Sequence, residues 1–80
     1  MPTVGRLYFY LKKYGAKPKL VLITDGAYEI NGRISNFWNF SYITKKGFIS
    51  SINGGDYDNE VWKFKPARGY RIETKVIKEK

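Results

Sequence analysis

The sequence predicts an all-β fold. Aromatic residues make up 18% of the chain, with seven Tyr, five Phe and two Trp. Such residues, like β-branched ones, fit pleated, half-buried surfaces better than helices. Eight glycines fall between the apolar runs, where tight turns need them. The runs are short and recur at roughly 10–14 residue spacing, the pattern of a small sandwich or barrel.

The first element is Leu7-Tyr8-Phe9-Tyr10-Leu11, a dense run of β-formers with weak helix propensity. Val4, Leu7, Leu11 and Tyr14 also follow a helical stripe, with Lys12 and Lys13 in its last turn and Gly15 after it. Over residues 4–14 a strand is the favoured reading and a helix the competing one. Gly15-Ala16-Lys17-Pro18 is a connection, because Pro18 lacks an N–H and restricts Lys17. Leu20-Val21-Leu22-Ile23 is a continuous apolar run that reads as a central strand buried on both faces. Asp25-Gly26 then signals a turn.

Tyr28-Glu29-Ile30, Asn31-Gly32 and Arg33-Ile34-Ser35 predict a hairpin, since Asn-Gly accepts the positive φ values of a type I′ turn. Its second strand can run on, with Ile34, Trp38, Phe40 and Tyr42 on one face. Asn36 falls on that apolar face and predicts a bulge or bend near Asn36-Phe37. Thr44-Lys45-Lys46-Gly47 is a turn, and Phe48 to Ile52 the next strand. Asn53-Gly54-Gly55-Asp56 reads as its break, followed by an acidic loop from Asp56 to Glu60. Val61 to Lys65 is a strand with Trp62 and Phe64 on one side, and Pro66-Ala67-Arg68-Gly69 a turn. Tyr70, Ile72, Thr74 and Val76 alternate with Arg71, Glu73 and Lys75 as a last, half-buried strand. Lys78 to Lys80 is a frayed tail. The expected architecture is a small SH3-like barrel of five or six antiparallel strands, because closure removes exposed edges.

Eighty residues make a single domain over 1–80, opening with a basic N-terminal segment, 1–19. The chain has no Cys and no His. A disulfide framework, a thiolate or imidazole metal site, a thiol nucleophile and a Ser-His-Asp triad are thereby excluded. No apolar run reaches the roughly 20 residues of a membrane helix. Arg6 interrupts the N-terminal apolar stretch, which lacks the pattern of a secretory signal. A cytoplasmic location is expected, host cytoplasm if the protein is viral, with no membrane partner and no cofactor.

The net charge of +8 is unevenly spread. Met1 to Thr24 carries five cations and no acid, net +5; Lys63 to Lys80 carries seven cations and two acids, again net +5. Asp25 to Trp62 carries three cations against five acids, net −2. If the first and last strands lie together, the two basic ends merge into one positive face that attracts a polyanion. The alternative is that scattered lysines only keep an aromatic-rich protein soluble.

Other chemistry is weaker. Asp56-Tyr57-Asp58-Asn59-Glu60 alternates oxygen ligands, but Val61 stands where an EF-hand needs Gly and Ala67 where it needs the bidentate Glu. A solvated acidic loop is the better reading. Asp25 sits at a strand end, where a carboxylate serves a turn more often than catalysis. Asp25 and Glu29 form a glycosidase-like pair only if a deep cleft separates them. Asn53-Gly54-Gly55 lacks the spacing and the Lys-Ser/Thr of a phosphate loop.

The segment from Asp25-Gly26 through Asn31-Gly32-Arg33-Ile34-Ser35-Asn36-Phe37-Trp38-Asn39-Phe40 resembles small proteins of bacteria and their phages. These carry a similar Asp-Gly, Asn-Gly-Arg, Ser-Asn-Phe and aromatic series. The resemblance implies a short β-barrel of a mobile-element type and brings no activity with it.

The leading functional expectation is a non-enzymatic nucleic-acid-binding module with a basic, aromatic-lined β-surface. Fourteen aromatics exceed what so small a core encloses, so several rings should be exposed to stack bases. The expected contacts are Arg6, Tyr8, Tyr10, Lys12, Lys13, Lys17, Arg33, Phe37, Lys63, Lys65, Arg68 and Arg71, with Trp38, Phe40 and Trp62 assigned mainly to the core. The alternative is a protein-interaction module, a phage or mobile-element inhibitor or assembly subunit, working through an aromatic groove or an edge strand.

Overall fold

The computed structural model describes residues 2–26 and 29–79. Among them every regular element is a strand and every strand pairing is antiparallel. The all-β expectation is met. The strands are β1 (Leu7–Tyr10), β2 (Lys19–Gly26), β3 (Glu29–Ile30), β4 (Arg33–Ile34), β5 (Phe37–Ile43), β6 (Ile49–Tyr57), β7 (Phe64–Pro66), β8 (Tyr70–Ile72) and β9 (Val76–Lys78). Five of them form one sheet in the order β6-β5-β2-β1-β7, while β3–β4 and β8–β9 are separate hairpins. No helix among the described residues is long and apolar enough to cross a membrane.

Side-chain alternation divides the sheet into two packed faces. Tyr8, Tyr10, Val21, Ile23, Trp38, Phe40 and Phe64 are buried together on one, with Tyr42 against them. Leu7, Ala67 and Val76 are buried on the other, with Phe9, Leu20, Leu22, Ile43 and Tyr70 packed around them. The β1–β2 register of Leu7 with Leu22, Tyr8 with Val21 and Phe9 with Leu20 keeps the two sets apart. The β8–β9 hairpin covers the second face through Tyr70 and Val76. It is tied down where Val76 N–H donates to the Gly47 carbonyl at 2.7 Å.

The sheet is strongly curled. A flat sheet would put β6 about 14 Å from β1, three strand spacings of about 4.8 Å. Yet Tyr10 Oη on β1 reaches Asp56 Oδ2 on β6 at 2.6 Å. Phe40 on β5 meets Tyr10 at a ring-centroid distance of 4.6 Å and Phe64 on β7 at 5.9 Å. The first face is therefore concave, and its rings meet across it.

Several elements match the sequence reading. The Asn31-Gly32 hairpin forms, with φ of 51° and 77° at the two turn residues; Tyr28 lies outside the described residues. The Thr44–Gly47 turn closes on a Gly47 N–H to Thr44 C=O bond of 2.9 Å. β2 is central, between β1 and β5.

Others differ. Asp25 and Gly26 extend β2 past a register shift and pair with Asn39 and Trp38, because a side-chain-free residue is needed under the Trp38 ring. The strand after the hairpin does not run through: the irregularity expected near Asn36-Phe37 is present, as a full break between β4 and β5. The chain breaks at Ser35-Asn36, where Ser35 Oγ accepts the Phe37 N–H, and Ile34 is 72% exposed rather than sharing the Trp38 face. Asn53-Gly54-Gly55 continues β6 instead of breaking it. Gly54 lies opposite Phe40 and Gly55 opposite Asn39, and a Cβ at Gly54 would stand 2.7 Å from the Phe40 ring. These glycines mark close approach, not a turn. Val61 is 92% exposed in a turn that the Lys63 N–H to Glu60 C=O bond closes, so the strand begins only at Phe64. The last strand folds back on itself: Glu73-Thr74-Lys75 reverses the chain, and Ile72 pairs with Val76. Lys78 pairs with Tyr70 rather than fraying, and Lys80 lies outside the described residues.

Replacing Gly54 by Ala forces Phe40, 1% exposed, off its seat. We expect a loss of about 1–3 kcal/mol in urea unfolding, against a change within about 0.5 kcal/mol for Ser51→Ala on the exposed part of the same strand. Equal stability of the two variants would contradict the packing described.

Candidate nucleic-acid interface

The pairing of β1 with β7 sets Tyr8 opposite Pro66, Phe9 opposite Lys65 and Tyr10 opposite Phe64. It places the basic N-terminal segment beside the first part of the basic C-terminal segment. Leu11 N–H to the Lys63 carbonyl, 2.9 Å, and Ala67 N–H to the Leu7 carbonyl, 3.1 Å, extend the contact at both ends.

At one end of this edge is an apolar groove of about 480 Å³ lined by Phe9, Leu11, Tyr14, Pro18, Trp62 and Lys65. Tyr14 is 81% exposed. Its ring meets Trp62 edge to face, with centroids 5.7 Å apart. Lys65 in the groove lining is exposed, as are Lys12 and Lys13, which immediately precede Tyr14, and Lys17, which precedes Pro18. Pro18 and the Lys13 C=O to Ala16 N–H bond of 3.0 Å shape the loop that carries Tyr14.

At the other end is a concavity of about 620 Å³. Arg6, Arg68 and Arg71 line it, over Leu7, Ala67 and Tyr70. Phe9 of the groove packs on Tyr70 of the concavity, with ring centroids 5.7 Å apart, so the two hollows lie on either side of one ring contact. From Arg6 to Leu11 the strand rises about 17 Å.

The expected contact residues divide accordingly. Arg6, Lys12, Lys13, Lys17, Lys65, Arg68 and Arg71 are all exposed on or beside this edge. Tyr8 and Tyr10 do not present their rings to solvent: both are core residues, 8% and 5% exposed. Both faces of β1 are covered, so neither parity of its side chains faces water. Tyr8 Oη accepts the Thr3 N–H at 2.8 Å, and Tyr10 Oη donates to Asp56. Lys63 is occupied as well, with Nζ 2.9 Å from both Asp56 oxygens. Arg33 and Phe37 line neither hollow; Phe37 packs on Tyr57 at 5.0 Å. Trp38 and Phe40 are core, as expected, whereas Trp62 is half-buried in the groove wall.

Tyr14 and Trp62 were the residues least visible as contacts. Their signal was local: each stands beside Lys, with Gly15 following Tyr14 and the acidic loop preceding Trp62.

Asp56 is part of the frame rather than a solvated acid. Its carboxylate accepts from Tyr10 Oη, from Lys63 Nζ and, at 2.7 Å, from the Tyr57 N–H. Burial opposes its ionisation, but the hydrogen bonds from Tyr10, Lys63 and Tyr57 with the Lys63 charge outweigh it, so the carboxyl is held below its ordinary 3.8. Burial first, then the bond to Asp56 and the charges of Asp56 and Tyr42, push the Tyr10 phenol well above its ordinary 10.0.

No family model matches this chain, and neither does any curated protein or solved structure. The functional reading therefore rests on the geometry.

The two pKa shifts act at opposite ends of the pH scale. A depressed carboxyl stabilises the fold above pH 3.8, and that contribution is lost as pH falls through the lower folded value. A raised phenol stabilises below pH 10.0, and this is lost as pH climbs toward the higher folded value. Asp56→Asn should cost about 1–3 kcal/mol at neutral pH and flatten the acid arm of a stability–pH profile. Tyr10→Phe should flatten the alkaline arm. Unchanged arms in both variants would remove Asp56 and Tyr10 from this role.

Proposed function

We propose that the protein is a non-enzymatic module that binds single-stranded nucleic acid along the β1–β7 edge. The observation that carries this is the contact of the exposed Tyr14 ring with the half-buried Trp62 ring beside Lys65, on the edge where the two basic segments meet and on a loop that also carries the exposed Lys12, Lys13 and Lys17. Rings stack bases whatever their identity, and flanking cations neutralise phosphates. A duplex keeps its base faces stacked internally, so a ring as exposed as Tyr14 favours unpaired strands.

We read the frame as an SH3-like barrel. Four strands form a meander, a fifth returns beside the first, and Asp56 links the far edge back to Tyr10 and Lys63. The alternative, capture of a protein partner by strand addition, is supported by one observation. β6 is an edge strand with Ile49, Ile52 and Tyr57 half or more exposed, and such an edge can template an added strand.

Titration with oligothymidylate should quench Trp62, since Trp38 is buried, and Trp62→Phe should abolish the signal. If about five phosphates are neutralised, log K falls with log salt with a slope of about −3.5. Tyr14→Ala should weaken binding about 5- to 150-fold, and Lys65→Gln should make the slope shallower by about 0.7. Ile52→Lys, on the opposite edge, should leave all this unchanged. Absent quenching at low salt, or an affinity indifferent to salt, would overturn the nucleic-acid reading and direct the search to partners of β6.

A further inference from the structure

The arginine concavity does something the groove does not require. Arg6 precedes β1, Arg68 sits in the turn after β7 and Arg71 lies on β8, yet all three line one hollow. Gly5 and Gly69 contribute no side chains to its wall, and Leu7, Ala67 and Tyr70 give it a partly apolar floor. Its size, about 620 Å³, lies in the range that takes a small ligand such as a nucleotide.

Charge narrows the choice of ligand. The Arg71–Glu73 pair is 3.4 Å apart, with both side chains about half exposed, so Glu73 offsets one guanidinium. Three cations against one acid leave a local charge near +2. An internal phosphodiester carries a single negative charge. A phosphate monoester carries about −1.5 to −2 at pH 7 and offers three acceptor oxygens, which planar guanidinium forks bind in pairs.

Resting on the nucleic-acid reading above, we propose that Arg6, Arg68 and Arg71 form a phosphate-monoester pocket that holds the terminal phosphate of a bound strand. The end nucleotide occupies the concavity, and the following ones pass Phe9 and Lys65 toward Tyr14 and Trp62. The protein then recognises a phosphorylated strand end rather than the strand interior alone.

The test compares three short oligothymidylates of equal length, bearing a 5′-phosphate, a 3′-phosphate or hydroxyls at both ends, by Trp62 quenching. One of the phosphorylated ends should bind about tenfold more tightly than the hydroxyl-ended strand, and which one it is fixes the polarity of the strand. That ratio should shrink below pH 6, where the monoester gains its second proton. It should fall to about one in the Arg68→Gln, Arg71→Gln double variant, whose altered residues are exposed and outside the core. Equal affinity for all three strands, with quenching intact, would overturn the pocket and leave the nucleic-acid reading standing. A ratio that survives in the double variant would place end recognition elsewhere and also overturn it. If no strand binds, thymidine 5′- and 3′-monophosphates decide by NMR. Shifts at the three arginine side chains would keep the monoester pocket and discard the strand-binding role; none would discard both.

Discussion

Asp56 stands on the edge strand β6, yet its side chain meets Tyr10 three strands away and Lys63 at the entry to β7. An eighty-residue chain buries only a modest share of its surface, and an open, flat sheet would bury less. The curl is what lets Phe40 pack against Tyr10, Tyr42 and Phe64 at once. No backbone ladder joins β6 to β7 among the described residues, so side chains must span the gap. A half-buried carboxylate is costly unless its lone pairs are met. Here a phenol, an ammonium and a backbone N–H meet them, and the contact holds the curled sheet's two ends in place. Gly54 complements it on the same strand, since without a side chain there Phe40 can lie directly against β6.

What the sequence shows well are features decided by neighbouring residues. Asn31-Gly32 needs only its own two positive φ values to reverse the chain. Leu20 to Ile23 needs only its apolar continuity to become central. What it hides are features decided by distant partners. Gly54-Gly55 looks like a break because glycine usually signals one; its reason here is the pair of rings across the ladder, contributed by Phe37 and Phe40. The alternation from Tyr70 to Val76 fits one long strand as well as two short ones. Glu73-Thr74-Lys75 contains no Gly, Pro or Asn to announce the reversal, and the docking of Val76 on Gly47 decides it.

The candidate site was legible as charge but not as rings. The two basic segments meet through β1 and β7, at the start of the C-terminal one, while the last strand, β9, pairs with β8 instead. Tyr8 and Tyr10 were expected on a ligand face because alternation normally leaves one side of a strand to water. β1 lies inside the sheet, with Phe64 against one face and the β8–β9 hairpin against the other, so that rule fails there. The accessible rings, exposed Tyr14 and half-buried Trp62, come instead from the loops at its end. The sequence set Trp62 in an alternating strand, but it falls before β7 in a turn, and the β1–β7 pairing, continued by the Leu11–Lys63 bond, brings its loop to that of Tyr14.

Acids and cations also have different work in this fold. Lys63 is tied to Asp56, whereas Lys65, two residues on, is exposed opposite Phe9. Net charge alone therefore misstates the interface: one lysine of the basic segment belongs to the frame and its neighbour to the surface. The residual acids shape the field as well. Asp58 and Glu60 lie on the chain leading into Trp62, while beyond Phe9 the edge carries Lys65, Arg68, Arg71 and Arg6. Along this edge the field is negative at the approach to Trp62 and positive along β1, and such fields act over about 8–10 Å before salt screens them. Charge along the β1–β7 edge thus rises from the Asp58 and Glu60 side toward Lys65 and the arginines of the concavity. The edge accordingly has a direction as well as a sign.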